Sequence, residues 1–249
     1  MNKRYSIIIP IYKAESFIKK NLEEIKRTID EIFPDNEIIA VIDGEDDNSK
    51  QEAVKVDGIL TYSYKTNKGK GHALYHGFKQ STGKFIAFVD CDLDLDPSQL
   101  INFVPYLTTS DIVVGSKRHP FSKINYPFKR KVLSIGFFLY SRIILGVRLR
   151  DTQSGLKLIK REALEIIMPL LQVKRFSFDL ELCFLAQKHG FKMVEAPLHL
   201  TYQQFEEVSS TIRFKDIFIM FYEVLQIRVN YSFKKVYQKE FWKNRNWHN

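Results

Sequence analysis

Short β-branched apolar runs alternate with longer stretches of helical periodicity through the first half of the chain. Residues 6–11, Ser-Ile-Ile-Ile-Pro-Ile, read as a buried strand, and residues 15–32 carry apolar side chains at helical spacing. Strands follow at 37–42 and 58–64, a helix at 71–80, a strand at 84–89, a helix at 96–107 and a strand at 111–114. Strands alternating with helices predict βαβ units, an α/β class and a mostly parallel sheet. In such sheets ligands bind beyond the carboxyl ends of the strands. The polar loops that leave those ends are therefore the places to look for chemistry.

Four loops qualify. Pro10-Ile11-Tyr12-Lys13-Ala14-Glu15 ends the first strand, and Asp43-Gly44-Glu45-Asp46-Asp47-Asn48-Ser49 follows the second. Asp90-Cys91-Asp92-Leu93-Asp94-Leu95-Asp96 follows the strand at 84–89, and Asn67-Lys68-Gly69-Lys70-Gly71 opens the helix at 71–80. Asp90 and Asp92 stand two apart, so extended backbone would point both carboxylates the same way. Like charges that close repel unless a cation lies between them. A hard divalent ion, Mg2+ or Mn2+, suits oxygen ligands and leaves positions for a diphosphate. The same three-residue pattern also fits a solvated acidic turn. Asp96 reads as a helix cap with Pro97 at the first helical position. Asp43 could accept from a base edge or ribose hydroxyl, or simply cap the next helix. In the Asn67–Gly71 loop the glycines permit close approach of a ligand and Lys68 and Lys70 could meet phosphate; a plain turn is the alternative.

Composition narrows the partners. The chain has 249 residues, 45% hydrophobic and 27% charged, enough for a sizeable core in a folded domain. Its formal net charge of +9 suggests an anionic partner without choosing among phosphate ligands, acidic lipid and nucleic acid. No nucleic-acid recognition motif accompanies the charge, so no nucleic-acid partner is expected. The two cysteines, Cys91 and Cys183, lie far apart and in no metal-ligand spacing, which points to a reducing compartment. Nothing reads as a secretory signal. The longest apolar stretch, residues 132–147, is interrupted by Arg142, so a peripheral rather than spanning relation to a membrane is expected. Residues 117–150 carry nine Lys and Arg with no Asp or Glu, and they enclose the apolar run 132–140. Basic residues flanking an apolar aromatic helix suit an interface with anionic head groups. Residues 211–249 repeat the theme, with Trp242 and Trp247 among basic residues. A core helix with a solvated basic face is the plainer alternative.

The loops in their order — Pro-x-Tyr…Glu, Asp-Gly, Asn-x-Gly-Lys-Gly, Asp-x-Asp — resemble the family 2 glycosyltransferases of the GT-A fold. The branch holding dolichyl-phosphate glucose and mannose synthases is the most similar. Gly115-Ser116-Lys117-Arg118, Asp151-Thr152-Gln153-Ser154-Gly155-Leu156-Lys157, Phe178-Asp179-Leu180-Glu181 and Glu195-Ala196-Pro197 extend the resemblance, which covers roughly residues 5–210. A first domain over 1–210 and a basic aromatic segment over 211–249 are expected. Two positions depart from the branch: Ile42 precedes Asp43 where a second Asp is usual, and Lys13-Ala14 replaces an Asn before Glu15.

The resemblance implies transfer of a hexose from a UDP- or GDP-hexose to a polyprenyl phosphate, with inversion, at the cytoplasmic face of a membrane. It implies Pro10, Tyr12, Glu15, Asp43 and Lys70 in nucleotide binding, with Asp90. Asp90, Asp92 and Asp94 would hold the metal. Asp151, Gln153, Asp179 and Glu181 would face sugar and acceptor, with Asp92, Asp151 and Asp179 the candidate catalytic carboxylates. Arg118 and Arg130 would hold the lipid phosphate. A homo-oligomer is compatible with this reading, and so is a saccharide hydroxyl acceptor, which would need a general base. A nucleotidyltransferase is excluded, because Pro10-Ile11-Tyr12-Lys13 lacks the Gly-rich, Arg-containing loop such an enzyme needs after its first strand.

Overall fold

The computed structural model describes residues 3–122, 128–173, 177–199 and 214–233, and side chains at 128–134, 214–218 and 233 fall outside the described set. The Ile-rich run forms β1 (Tyr5–Ile11), and the next apolar run forms β2 (Asn36–Asp43). Between them α1 (Ile18–Ile32) buries Ile18, Leu22, Ile25 and Ile29, one stripe at helical spacing. β1 lies between β2 and β4 (Phe85–Phe88), parallel to both. A strand so placed is covered on both faces: Ile7 and Ile9 enter one core cluster, Ile8 the other, and all three have zero exposure. Burying each such side chain contributes roughly 1.5–3 kcal/mol.

The remaining elements are α2 (Ser49–Ala53), β3 (Leu60–Tyr64), α3 (Lys70–Gln80), a 3-10 helix (Pro97–Thr108), β5 (Ile112–Ser116), α4 (Phe128–Leu145), β6 (Lys157–Lys160), α5 (Arg161–Ile167), a short 3-10 turn (Met168–Leu170), α6 (Phe178–Lys188), β7 (Met193–Pro197) and α7 (Phe214–Phe233). They build a seven-stranded sheet in the order β3-β2-β1-β4-β6-β5-β7. Among the described strands only β6 runs antiparallel, to β4 on one side and β5 on the other, while β5 and β7 pair in parallel. The mostly parallel sheet expected from the sequence is therefore present, with one reversed strand in its interior.

Two expected helices differ in detail. α1 begins at Ile18 rather than residue 15, because Glu15 is held by the neighbouring loop: its backbone N–H donates to Asp47 at 3.3 Å and its carboxylate accepts from Asn48 N at 2.9 Å. The segment after Asp96 is 3-10 rather than α-helical, and Pro105 inside it removes a backbone donor. Its cap is as expected: Pro97 sits in the first turn and Asp96 accepts from Ser98 N at 2.8 Å.

The last described helix belongs to the same core. Val224 and Ile227 of α7 are fully buried, and Glu223 accepts from Ser177 N at 3.0 Å, at the cap of α6. α7 also packs on α4, with Tyr140 and Phe221 ring centroids 4.6 Å apart. The two helices leave Ile135, Leu139, Ile143, Tyr222, Leu225 and Val229 exposed, Ile143 at 80%. Among the described residues no helix is long and apolar enough to cross a membrane. Residues 200–213 and 234–249, which include the expected boundary at 210 and both tryptophans, lie outside the described residues.

Candidate functional site

The carboxyl ends of β1, β2 and β4 deliver the expected loops to one place, and the loops bind each other before any ligand is considered. Ala14 N donates to Ser49 Oγ at 2.8 Å, and Glu15 holds Asn48, so the loop after β1 is tied to the loop after β2. Tyr12 remains 44% exposed beside them, and Pro10 is partly exposed. Asp43, at the end of β2, is only 3% exposed. It accepts from Tyr64 Oη at 2.8 Å, Lys68 N at 2.7 Å and Gly69 N at 2.8 Å. Its carboxylate thus shapes the Asn67–Gly71 loop and fixes where α3 begins. Burial, reinforced by the Asp43 charge, pushes the Tyr64 phenol well above its ordinary range, so it stays a donor. Gly69 caps α3 at φ +96°, a conformation that favours glycine.

That cap aims Lys70 at the acidic loop. Lys70 Nζ lies 2.6 Å from Asp90 Oδ1 and 3.8 Å from Asp179 Oδ2. Burial opposes the ammonium, but the charges of Asp90 and Asp179 outweigh it and hold Lys70 above its ordinary pKa. Burial likewise opposes the Asp90 carboxylate, and Lys70 outweighs it, holding that group below its usual range. Asp92 is the contrast. Burial, then the neighbouring charges of Asp90 and Asp94, push it up to about 6. One ammonium therefore leaves the acidic loop short of positive charge.

Asp90 acts on Asp92 through its charge, and the two do not lie in strand backbone as the sequence reading expected. β4 ends at Phe88, so Asp90 and Asp92 lie in the loop beyond the strand, which turns at residues 91–92 before Leu93 adopts φ +57°. Asp94 meets Asp92 through its backbone, N donating to Oδ1 at 3.1 Å. Among the described residues no three His, Cys, Asp or Glu side chains come together as a metal-holding group. Asp94 adds its charge beside Asp92. An open, oxygen-only, electron-rich pair fits a hard divalent cation whose coordination is finished by a ligand's own oxygens.

The loop before β6 closes the other side. Asp151 accepts from Lys117 N at 2.9 Å and Gln153 N at 3.2 Å, joining the loop to the end of β5, while Glu195 of β7 accepts from Asp151 N at 2.9 Å. Gly155 packs so near the acidic loop that a Cβ there would stand 2.1 Å from Asp90 Oδ2. Asp179, in the first turn of α6, accepts from Lys157 Nζ at 2.7 Å. Lys157 is itself 1% exposed and was not singled out by sequence as a site residue; its position in the motif was the one available signal. Glu181 is a correction. Expected toward sugar and acceptor, it is fully buried and accepts from the backbone of Gln172 and Val173, because its helix face turns into the core.

Beyond the end of β5, the Arg118 guanidinium donates to Arg150 O at 3.2 Å and sits 4.7 Å from the Phe138 ring centroid. Arg142 lies 5.8 Å from the same ring. The side chain of Arg130 lies outside the described residues.

Residues 6–167 match the family model for glycosyl transferase family 2. The chain is 28% identical over 215 residues to a dolichyl-phosphate beta-glucosyltransferase of Dictyostelium discoideum, covering 79% of this chain and 66% of that protein. It is 32% identical over 210 residues to a dolichyl-phosphate beta-glucosyltransferase of Trichomonas vaginalis, covering 78% and 62%. An undecaprenyl-phosphate mannosyltransferase of Micrococcus luteus is 26% identical over 204 residues, covering 78% and 82%. The chain thus spans just under two thirds of the length of the two glucosyltransferases. Among solved structures, mannosyl-3-phosphoglycerate synthase from Rubrobacter xylanophilus superposes with a TM-score of 0.69 at 16% identity, covering 96% of this chain and 78% of that one. Glucosyl-3-phosphoglycerate synthase from Mycobacterium tuberculosis, in complex with Mn2+, UDP-glucose and phosphoglyceric acid, gives 0.67 at 17%, covering 92% and 79%. These neighbours carry the GT-A fold that the sequence implied.

Proposed function

Because the chain belongs to glycosyl transferase family 2, we propose that it is a metal-dependent hexosyltransferase that moves a hexose from a UDP- or GDP-hexose to a polyprenyl phosphate. The observation that carries the reading is the acidic pair Asp90 and Asp92 at the end of β4, neutralised only in part by Lys70. Asp90 and Asp92 would hold Mg2+ or Mn2+. Bound there, the ion would supply charge stabilisation for the departing nucleotide diphosphate.

The chain's own residues do the rest. Lys70 presents an ammonium beside the pair, placed to meet diphosphate oxygens. The loops after β1 and β2, knitted by Glu15, Asn48 and Asp43, offer a nucleotide a preformed edge with Tyr12 exposed on it. A phosphate acceptor is already an anionic nucleophile and needs positioning more than deprotonation. The two candidate bases support that acceptor, because Asp151 is engaged by backbone N–H groups and Asp179 by Lys157. In-line attack would invert the anomeric centre. Arg118, stacked on Phe138, and Arg130 are the candidate contacts for the lipid phosphate.

The exposed apolar face of α4 and α7, with Arg142 and Arg228 also exposed on these helices, supports peripheral contact with an anionic membrane, which we place at the cytoplasmic side. The proposed domain division remains 1–210 with a C-terminal segment 211–249, α7 being the part that docks on the first. The names of the glucosyl- and mannosyltransferase relatives support a lipid-linked phosphate as acceptor. The test is transfer of label from UDP-[14C]glucose or GDP-[14C]mannose to dolichyl or undecaprenyl phosphate in detergent, with Mn2+ or Mg2+. Label in the organic phase supports the proposal; label only on added oligosaccharide would redirect it to a hydroxyl acceptor.

A further inference from the structure

Lys157 is the first residue of β6, and the sheet register sets it beside Phe88 of β4 and Val114 of β5. A lysine on an interior strand with 1% exposure is costly unless its charge is matched. Here it is matched twice: Nζ donates to Ser154 O at 2.6 Å and to Asp179 Oδ1 at 2.7 Å. Asp179 offers its second oxygen toward Lys70, 3.8 Å away, and Lys70 pairs with Asp90 at 2.6 Å. Ammonium and carboxylate alternate over four side chains, from the buried interior of the sheet to the mouth of the site. Exposure rises along the line, from 1% at Lys157 through 8% at Asp179 and 32% at Lys70 to 37% at Asp90.

We infer that Lys157 and Asp179 are positioning residues for donor binding: Lys157 anchors the Asp179 carboxylate, and Asp179 holds Lys70 where the diphosphate arrives. The inference rests on the nucleotide-sugar reading given above. Geometry favours it over a base role for Asp179, because one oxygen is taken by a buried ammonium and the other faces Lys70. Lys157 fixes the other flank of Asp90 as well. The carbonyl it binds, Ser154 O, immediately precedes Gly155, whose backbone packs against the Asp90 carboxylate. One buried ammonium thereby sets two neighbours of the same acidic group. Simple charge balance in the core would need only the Lys157–Asp179 pair and would leave Lys70 indifferent to it.

The experiment is calorimetric titration of the full chain with UDP and with GDP in the presence of Mn2+, alongside melting temperatures. The variants are Lys157→Met, Asp179→Asn, Lys70→Met, Asp179→Asn/Lys70→Met and Lys157→Met/Asp179→Asn. Asp179→Asn should weaken nucleotide binding about tenfold, the scale expected when a supporting partner of a ligand-binding group is lost. In the Lys70→Met background the same change should cost little further, since the two act on one contact. Lys157→Met/Asp179→Asn should recover melting temperature relative to Lys157→Met, having removed the stranded charge, without recovering affinity. Wild-type affinity in Asp179→Asn, additive losses in the cycle with Lys70, or joint recovery of stability and affinity would each overturn the inference. If Lys157→Met does not fold, the Asp179–Lys70 cycle decides alone. Failure of the wild type to bind either nucleotide would instead remove the underlying nucleotide-sugar reading, and this inference with it.

Discussion

Gly155→Ala adds one methyl group at the tightest point of the site. The new Cβ would stand 2.1 Å from Asp90 Oδ2 and 2.6 Å from its Cγ. Ordinary packing needs about 3.5 Å between such atoms, so the carboxylate must withdraw by roughly an ångström. Gly155 is not among the glycines with positive φ, so its backbone accepts alanine and the cost is steric. Asp90 has no easy retreat, because Lys70 grips its other oxygen at 2.6 Å. Overpacking of this kind costs about 1–3 kcal/mol of stability. A misplacement of about 1 Å in a catalytic constellation costs on the order of 100-fold in rate. The assay is kcat/KM for hexosyl transfer with Mn2+, together with the melting temperature. A loss of about 100-fold with only a few degrees of melting shift is expected. Wild-type kcat/KM in Gly155→Ala would refute the reasoning, because Asp90 could then move an ångström without consequence.

Further tests reach the loop after β2, the sheet margin and the exposed apolar face of α4 and α7. Asp43→Ala strands the buried N–H of Gly69, at about 1–3 kcal/mol, and the more accessible N–H of Lys68 at less; a lower denaturation midpoint and weaker nucleotide binding should appear together. Asp111 accepts from Lys192 N at 2.9 Å and pairs with Lys160, contacts that outweigh burial and hold its carboxyl below the usual range. Its contribution is therefore complete above the unfolded carboxyl pKa and fades as pH falls below it. Urea midpoints of wild type and Asp111→Asn should accordingly differ at pH 7 and converge near pH 2. Ile143→Glu, at a position 80% exposed, should leave the melting temperature unchanged and reduce cosedimentation with vesicles of anionic lipid severalfold.

The first half of the fold was readable in sequence because its signals are local. The isoleucines of β1, the stripe at 18, 22, 25 and 29, and the Asp96–Pro97 cap each carry their meaning within a few residues. What sequence missed depends on distant partners. β6 is four residues long, Lys-Leu-Ile-Lys, and reads as nothing until β4 and β5 close on it from both sides. Lys157 looks like a surface lysine until Asp179, twenty-two residues later, is folded against it. Glu181 lies two residues from Asp179, so on α6 the two point in different directions, and Glu181 is spent on the backbone at 172–173. Extended backbone was expected at Asp90 and Asp92, but β4 ends at Phe88 and both lie in a loop that turns at residues 91–92.

The central claim concerns the acidic pair, and one titration tests it directly. Wild type, Asp90→Asn and Asp92→Asn are titrated with UDP and with GDP, with Mn2+ and after chelation. The account predicts that one nucleotide binds the wild type tightly only with the metal, and that either substitution removes the metal's contribution. Nucleotide binding that is equally tight in the wild type after chelation, or in both variants with Mn2+, would contradict it.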